Sequence, residues 1–502
     1  MIGITKKAIF VVNFFIKNHF EPISMKNFKA IFVFVLSFLS SLVQALSVEP
    51  YISTLPKGSD ISILVQSVGR QPTTLAQYKS DQFKQPASIQ KIITALAAEL
   101  ELGSDFRFET QMLTNGLISH KQLNGDLIIK LSGDPTFSRN RLQTMLSALR
   151  QKGIEKISGK IILDTSIFTS HDKAEGWSWN NLTACYNAPP SAAIIDNNCF
   201  FASVTPSKIG GKASISIPIG IPVTVMGDVR TIAKSSKDLN DKYCELDVSY
   251  SAKNNYYLSG CIATSSKKIP LKFAILDGVY YFSAILKNEL KKQKMTFTGI
   301  ITQSNQKITS KLTLLATNQS APLSELLTIM LKKSNNLYAD AIFRTLGAHY
   351  YNIQGTWRNS GDAVKQILRK KAGIDLENLV IVDGSGLSRL NLVSANKMME
   401  ILQYISAHNA ELGIIEKLPI AGTDGTLQYR KSFIELPLKE AVRAKTGYIQ
   451  GSYNLAGFIQ KSDGKYIAFV QLLSGYHADN SIEPKNSAIM RFESDFYKNF
   501  IN

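Results

Sequence analysis

An α+β architecture, with one sheet drawn from both ends of the chain and a long β-rich insertion between them, is what this 502-residue sequence calls for. Three observations lead there. Strand-like alternation occurs early, most clearly at Ile61-Ser-Ile-Leu-Val-Gln66, and returns at residues 453–460 and 466–473. Helical periodicity fills residues 323–346, 362–372 and 394–408. Between the two flanks, residues 113–318 are rich in turns and short strands and hold all four cysteines. The length exceeds one typical domain and allows a large core plus an inserted module.

The N-terminus carries an export pattern. From Met25 the chain reads Met-Lys-Asn-Phe-Lys29, then an apolar stretch over residues 30–43, then Val43-Gln-Ala45 at a cleavage-like exit. Such a run is too short and wrongly flanked for a membrane span, so residues 1–45 read as a targeting segment with a signal peptide. Translation is expected to start at Met25 and the mature chain near Leu46; the upstream apolar patch, residues 8–16, then reflects a misassigned start or a longer targeting segment.

The formal charge is +18. A basic surface of this kind favours solubility and loose attraction to anionic lipid or an acidic wall polymer, so peripheral membrane contact is an expectation. Export argues against nucleic acid. Cys185, Cys199, Cys244 and Cys261 suit two disulfides in an exported protein, and local pairing is the simplest of three connectivities. Neither Cys-x-x-Cys nor His-Glu-x-x-His occurs, so no metal is expected.

Along the chain, residues 51–85 read as short strands ending in a turn at Gln85-Pro86. From Ser88 the apolar positions Ile92, Ala95, Leu96 and Leu100 take a helical period that stops at Gly103. In the insertion the clearer strands are residues 125–131, 159–164 and 215–220, with a helix at 280–291. The flanks, 46–112 and 319–502, together make one domain of ordinary size; the insertion makes one or two more.

Three motifs carry chemistry. A serine hydroxyl is a poor nucleophile until a base takes its proton. Ser88 and Lys91, three apart on a helix, share a face, and burial beside a second cation such as Lys445 would lower the lysine pKa enough for that role. The spacing alone is common, since Ser170, Ser265, Ser304, Ser394 and Ser462 also begin Ser-x-x-Lys; Ser88 differs in heading an apolar helix after Pro86-Ala87. Ser334-Asn335-Asn336 stands at the end of a helical segment, where a helix-capping serine is the plain structural alternative. Lys445-Thr446-Gly447 occurs once and feeds the apolar run from Tyr453 to Ile459. Lysine, a hydroxyl and glycine in that order suit a carboxylate clamp beside a strand.

Together with Ala87-Ser-Ile-Gln-Lys-Ile-Ile-Thr-Ala-Leu96, Asp164-Thr-Ser-Ile-Phe168, Gly176-Trp-Ser-Trp179, Ala188-Pro-Pro190, Asp383-Gly-Ser-Gly-Leu-Ser-Arg389 and Asp424-Gly-Thr-Leu427, these motifs resemble one family. It is the D-alanyl-D-alanine carboxypeptidase/endopeptidase family, low-molecular-mass class C penicillin-binding proteins of the penicillin-binding protein 4 type. The resemblance implies a penicillin-recognising, β-lactamase-like serine transpeptidase fold with β-rich domains inserted after the nucleophile helix. It implies Ser88 as the acylated nucleophile, Lys91 as its base, Ser334 as proton donor to the leaving amine, and Asn336 as a clamp on the substrate backbone. Lys445, Thr446 and Gly447 would bind the terminal carboxylate, with the amides of Ser88 and Tyr448 as oxyanion hole.

A side-chain pocket for diaminopimelate is implied at Asn181, Tyr186, Arg389 and Gln450. Asn181 departs from the family, where an aspartate faces the free ammonium, so preference for an amino-bearing end is expected to weaken. The substrates implied are peptidoglycan stem peptides in the periplasm, losing a terminal D-alanine, with D-alanine to diaminopimelate crosslinks also cut. β-Lactams would be covalent inhibitors, and no cofactor is needed. A serine β-lactamase is the enzymatic alternative, but no Glu-x-x-x-Asn lies between Ser88 and Ser334 to position a deacylating water. A catalytically silent wall-binding protein would show a broken triad of motifs.

Overall fold

The computed structural model describes residues 45–264, 267–309, 311–477 and 487–502. Apart from Ala45, the signal-peptide reading falls outside them. The strands Asp60–Ser67 (β1), Thr74–Tyr78 (β2), Val442–Ile449 (β3), Gly451–Gln460 (β4) and Tyr466–Tyr476 (β5) form one antiparallel sheet in the order β3-β4-β5-β1-β2. β1 lies against β5, with Ile61 opposite Leu473 and Val65 opposite Phe469, so the two chain ends meet at the centre of the sheet. Side chains alternate across a strand. Ala468, Val470 and Leu472 therefore enter the helical core, while Phe469 and Gln471 face Tyr497 and Glu493 of the last helix, Ala488–Tyr497.

The helical side is built from Gln90–Glu101 (α1), Leu323–Lys332 (α2), Asn336–Tyr351 (α3), Trp357–Ile367 (α4) and Ala395–Ala407 (α5). α1 is buried on every side from Gln90 to Glu99, the pattern of a central helix. The helical stretch expected over 323–346 is two helices that part at Ser334-Asn335, where the motif ends a helical segment as expected: Ser334 takes a left-handed backbone (φ 53°) and the Asn335 side chain accepts the Tyr338 N–H at 3.1 Å, capping α3. α4 starts at Trp357 rather than 362. Its first turn is polar, which hides the period, but Thr356 and Asn359 close a capping box there.

In the insertion, Glu109–Thr114 pairs antiparallel with Thr313–Gln319, so the chain leaves and re-enters through neighbouring strands. These belong to a five-stranded sheet with Leu127–Lys130, Ile161–Asp164 and Ile301–Ser304. Beside it lie two three-stranded sheets, and this region shares an apolar core of its own around Leu127, Phe200, Tyr256 and Phe282. The strand expected at 215–220 is only Ser214–Ser216; Pro218 cannot donate to a ladder and Gly220 turns the chain at φ 82°. The helix expected at 280–291 is Gly278–Lys292. Both local disulfides form, Cys185–Cys199 and Cys244–Cys261. With partners 14 and 17 positions apart in sequence, each is worth about 3 kcal/mol by loop closure. Among the described residues no helix is long and apolar enough to cross a membrane.

Candidate active site

The turn before α1 is held from the sheet. Asn454 of β4 donates to the carbonyls of Gln85 (2.7 Å) and Pro86 (2.9 Å), while its own oxygen accepts the Leu473 N–H. Ala87 is thereby set at φ 47°, and Ser88 sits in the 3-10 turn Ala87–Ile89 just ahead of α1. One turn on, Lys91 Nζ lies 2.9 Å from Ser88 Oγ, 2.7 Å from Asn336 Oδ1 and 2.6 Å from the Ser385 carbonyl oxygen. The Asn336 amide also donates to the Tyr186 carbonyl at 2.9 Å. Ser88 and Lys91, neighbours on one face, and Asn336, 245 positions further on, are thus one hydrogen-bonded cluster.

Lys91 and Lys445 are both fully buried. Burial pushes Lys91 down to about 8, while Asp340 and Asp383 pull in the opposite direction. The lowering expected of Lys91 is thus found with burial as its main cause, and burial first, then the Lys91 charge, hold Lys445 well below the ordinary lysine range. Lys445 Nζ donates to the Thr446 carbonyl at 2.8 Å, and Thr446 Oγ1 meets Thr426 Oγ1 at the same distance. Gly447 has a packing reason to lack a side chain, since a Cβ there would lie 2.6 Å from the Pro86 carbonyl oxygen. β3 can press against the Ser88 turn only without it.

A cleft of about 450 Å³ opens over Ser88. Ser334, Asn336, Tyr448 and all four residues expected of the side-chain pocket, Asn181, Tyr186, Arg389 and Gln450, line it. Lys91 and Lys445 lie behind its wall. Among the described residues Arg389 meets no carboxylate; it donates to the Gln450 carbonyl at 3.1 Å and reaches Ser178 Oγ at 3.4 Å. Tyr448 is 67% exposed at the mouth, its ring edge-on to Tyr453 at 5.7 Å.

Sequence reasoning missed the groups that hold this cluster. Asp340, four residues after Asn336 and so on the same face of α3, accepts the N–H of Gly384 and of Ser385 through Oδ1, each at 2.9 Å. That contact aims the Ser385 carbonyl at Lys91. Burial, and then Asp383, keep the Asp340 carboxyl well above its ordinary range. Asp383 is buried too and accepts from Gly386 N, Ser388 N, Trp177 Nε1 and Asn391 Nδ2. The helical spacing from Asn336 was the available signal for Asp340. Asn454 offered none, because its partners are backbone groups distant in sequence.

A base beside a hydroxyl, two buried lysines and an open cleft suit acyl transfer. The profile of the D-Ala-D-Ala carboxypeptidase 3 (S13) family matches residues 44–496. Over 468 residues, 93% of this chain and 96% of the relative, the sequence is 39% identical to the D-alanyl-D-alanine carboxypeptidase DacB of Haemophilus influenzae. It is 25% identical over 418 residues to the D-alanyl-D-alanine carboxypeptidase of an Actinomadura strain, covering 81% of this chain and 76% of that one. The crystal structure of penicillin binding protein 4 (dacB) from H. influenzae superposes with a TM-score of 0.86 at 39% identity, covering 91% of this chain and 99% of that one. The same protein complexed with a novel β-lactam gives a TM-score of 0.82 at 37% identity. The α+β, penicillin-recognising fold expected from the motifs is the fold observed, and the chain belongs to the D-Ala-D-Ala carboxypeptidase 3 (S13) family.

Proposed function

We propose that this serine-type D-Ala-D-Ala carboxypeptidase acts on peptidoglycan stem peptides through an acyl-enzyme on Ser88, and that it also opens crosslinks between D-alanine and diaminopimelate. The observation that carries the reading is Lys91 Nζ at 2.9 Å from Ser88 Oγ under an open cleft. Lys91 takes the hydroxyl proton as Oγ bonds to the carbonyl carbon of the penultimate D-alanine. The backbone N–H groups of Ser88 and Tyr448 receive the oxyanion. As the C–N bond breaks, Ser334 hands a proton to the leaving amine, and Lys91 restores it. Water then attacks the ester and returns the proton to Ser88.

Lys445 and Thr446 hold the terminal carboxylate, and Asn336 orients the substrate amide. Arg389, Tyr186, Gln450 and Asn181 receive the side chain of the acyl half. Arg389 supports a carboxylate there, since its guanidinium is committed only to neutral oxygens. A neutral Asn181 makes the contact with an ammonium weaker than an aspartate would. β-Lactams acylate the same serine, and the periplasm is where both substrate and export pattern direct the enzyme.

Fluorescent penicillin labelling tests the mechanism. The wild type is expected to retain a stable covalent label and Ser88→Ala none; equal labelling of both would remove Ser88 from the mechanism, and an unlabelled wild type would remove the mechanism itself.

A further inference from the structure

A second groove, of about 780 Å³, adjoins the catalytic cleft and shares Tyr186, Ser334 and Asn336 with it. Its volume falls in the range of ordinary ligand sites. Two aromatic rings stand in it unusually exposed, Tyr186 at 53% and Phe201 at 56%. The Cys185–Cys199 disulfide staples the backbone beside both rings, so these walls are fixed relative to each other. Exposed Lys272 lies over the Phe201 ring, its Nζ 5.5 Å from the centroid, and exposed Lys333 ends α2 just before Ser334.

Among the described residues neither lysine pairs with a carboxylate. The one acidic side chain in the lining, Asp196, is already answered by Arg139, through its N–H at 3.0 Å and its guanidinium Nε at 3.7 Å. The groove therefore offers two positive charges without a carboxylate partner among the described residues and two exposed aromatic rings, one of them under Lys272, a combination suited to an extended, amide-bearing anion.

We infer that this groove receives the leaving half of a crosslinked substrate, the stem whose amine is released when the crosslink is cut. The inference rests on the peptidase reading above. In that reading Ser334 protonates the leaving amine, and Ser334 is one of the three residues at which the two cavities join. The acyl half occupies the first cleft, by Arg389 and Gln450. A single departing D-alanine needs no second groove, whereas a departing diaminopimelate stem brings carboxylates for Lys272 and Lys333 and a peptide backbone to lie on Tyr186 and Phe201. The groove thus separates the two activities of one serine.

The test uses the mature enzyme and two purified substrates, a monomeric disaccharide pentapeptide and a crosslinked muropeptide dimer, with products resolved by mass. Lys272→Ala/Lys333→Ala and, separately, Phe201→Ala are expected to lower kcat/KM for the dimer about tenfold, the size of one or two lost charge-assisted contacts. Release of D-alanine from the monomer and the rate of penicillin labelling should stay within about twofold of wild type, that is, below the tenfold that a lost contact produces. Equal losses on both substrates, no loss on either, or a wild type that trims monomers but leaves dimers intact would each overturn the groove assignment while leaving the carboxypeptidase reading standing. A wild type that neither labels nor trims would instead remove the reading on which it rests.

Discussion

Lys91 has a proton equilibrium set by opposing forces. Burial strips water from its ammonium and lowers its affinity for the proton to about 8, against the pull of Asp340 and Asp383. A general base works only when deprotonated. Well below that value the fraction of free amine falls about tenfold per pH unit, so Ser88 acylation by a penicillin is expected to rise about fiftyfold from pH ~6 to pH ~8 and to level about twofold higher above pH ~9. Stopped-flow acylation from pH ~6 to pH ~10 checks it; a flat profile would mean that another group takes the proton. The spacing of Ser88 and Lys91 was readable in the sequence. The carboxylates that hold Lys91 in range were not, because Asp383 and the Ser385 carbonyl reach it across the fold.

β3 and the Ser88 turn meet through the absence of a side chain. At Gly447 a Cβ would stand 2.6 Å from the Pro86 carbonyl oxygen and 3.2 Å from Ile89 Cγ2 and from Asn454 Cβ. The nearest obstacle is backbone, which itself accepts from Asn454, so it cannot yield cheaply. Gly447→Ala is expected to overpack the contact at a cost of about 1–3 kcal/mol and to slow penicillin acylation at least about tenfold while far-UV circular dichroism stays native. Acylation at the wild-type rate would show that strand and turn adjust freely. The break between α2 and α3 makes a related point. The motif closes a helical segment, as expected, and the left-handed backbone at Ser334 is what parts the two helices so that they present Ser334 and Asn336 to the cleft.

One fully buried cation ties the insertion to the helices across the whole molecule. Arg344 of α3 donates to the carbonyls of Pro190 (3.0 Å), Thr169 (2.6 Å) and Gly355 (3.3 Å), and its guanidinium lies 4.5 Å from the Phe168 ring centroid and 5.4 Å from that of Trp357. Two of its carbonyl partners, Thr169 and Pro190, belong to the insertion and flank Tyr186 in sequence. Removing such a group leaves buried acceptors unpaired. Arg344→Met is expected to cost about 3 kcal/mol, read by denaturant unfolding; an unchanged midpoint would mean that water replaces every bond.

Local pattern was sufficient for the α+β class and the order of the three motifs, and the family resemblance carried by those motifs supplied the reaction, because periodicity and residue chemistry are properties of contiguous chain; of three possible cysteine connectivities the structure forms the local one. The partners of Asn454, the loop held by Asp340, the reason for Gly447 and the second groove beside Ser334 were decided only when distant segments met. Their information lies in backbone groups and in surfaces left uncovered, and neither is written in the identity of any one residue.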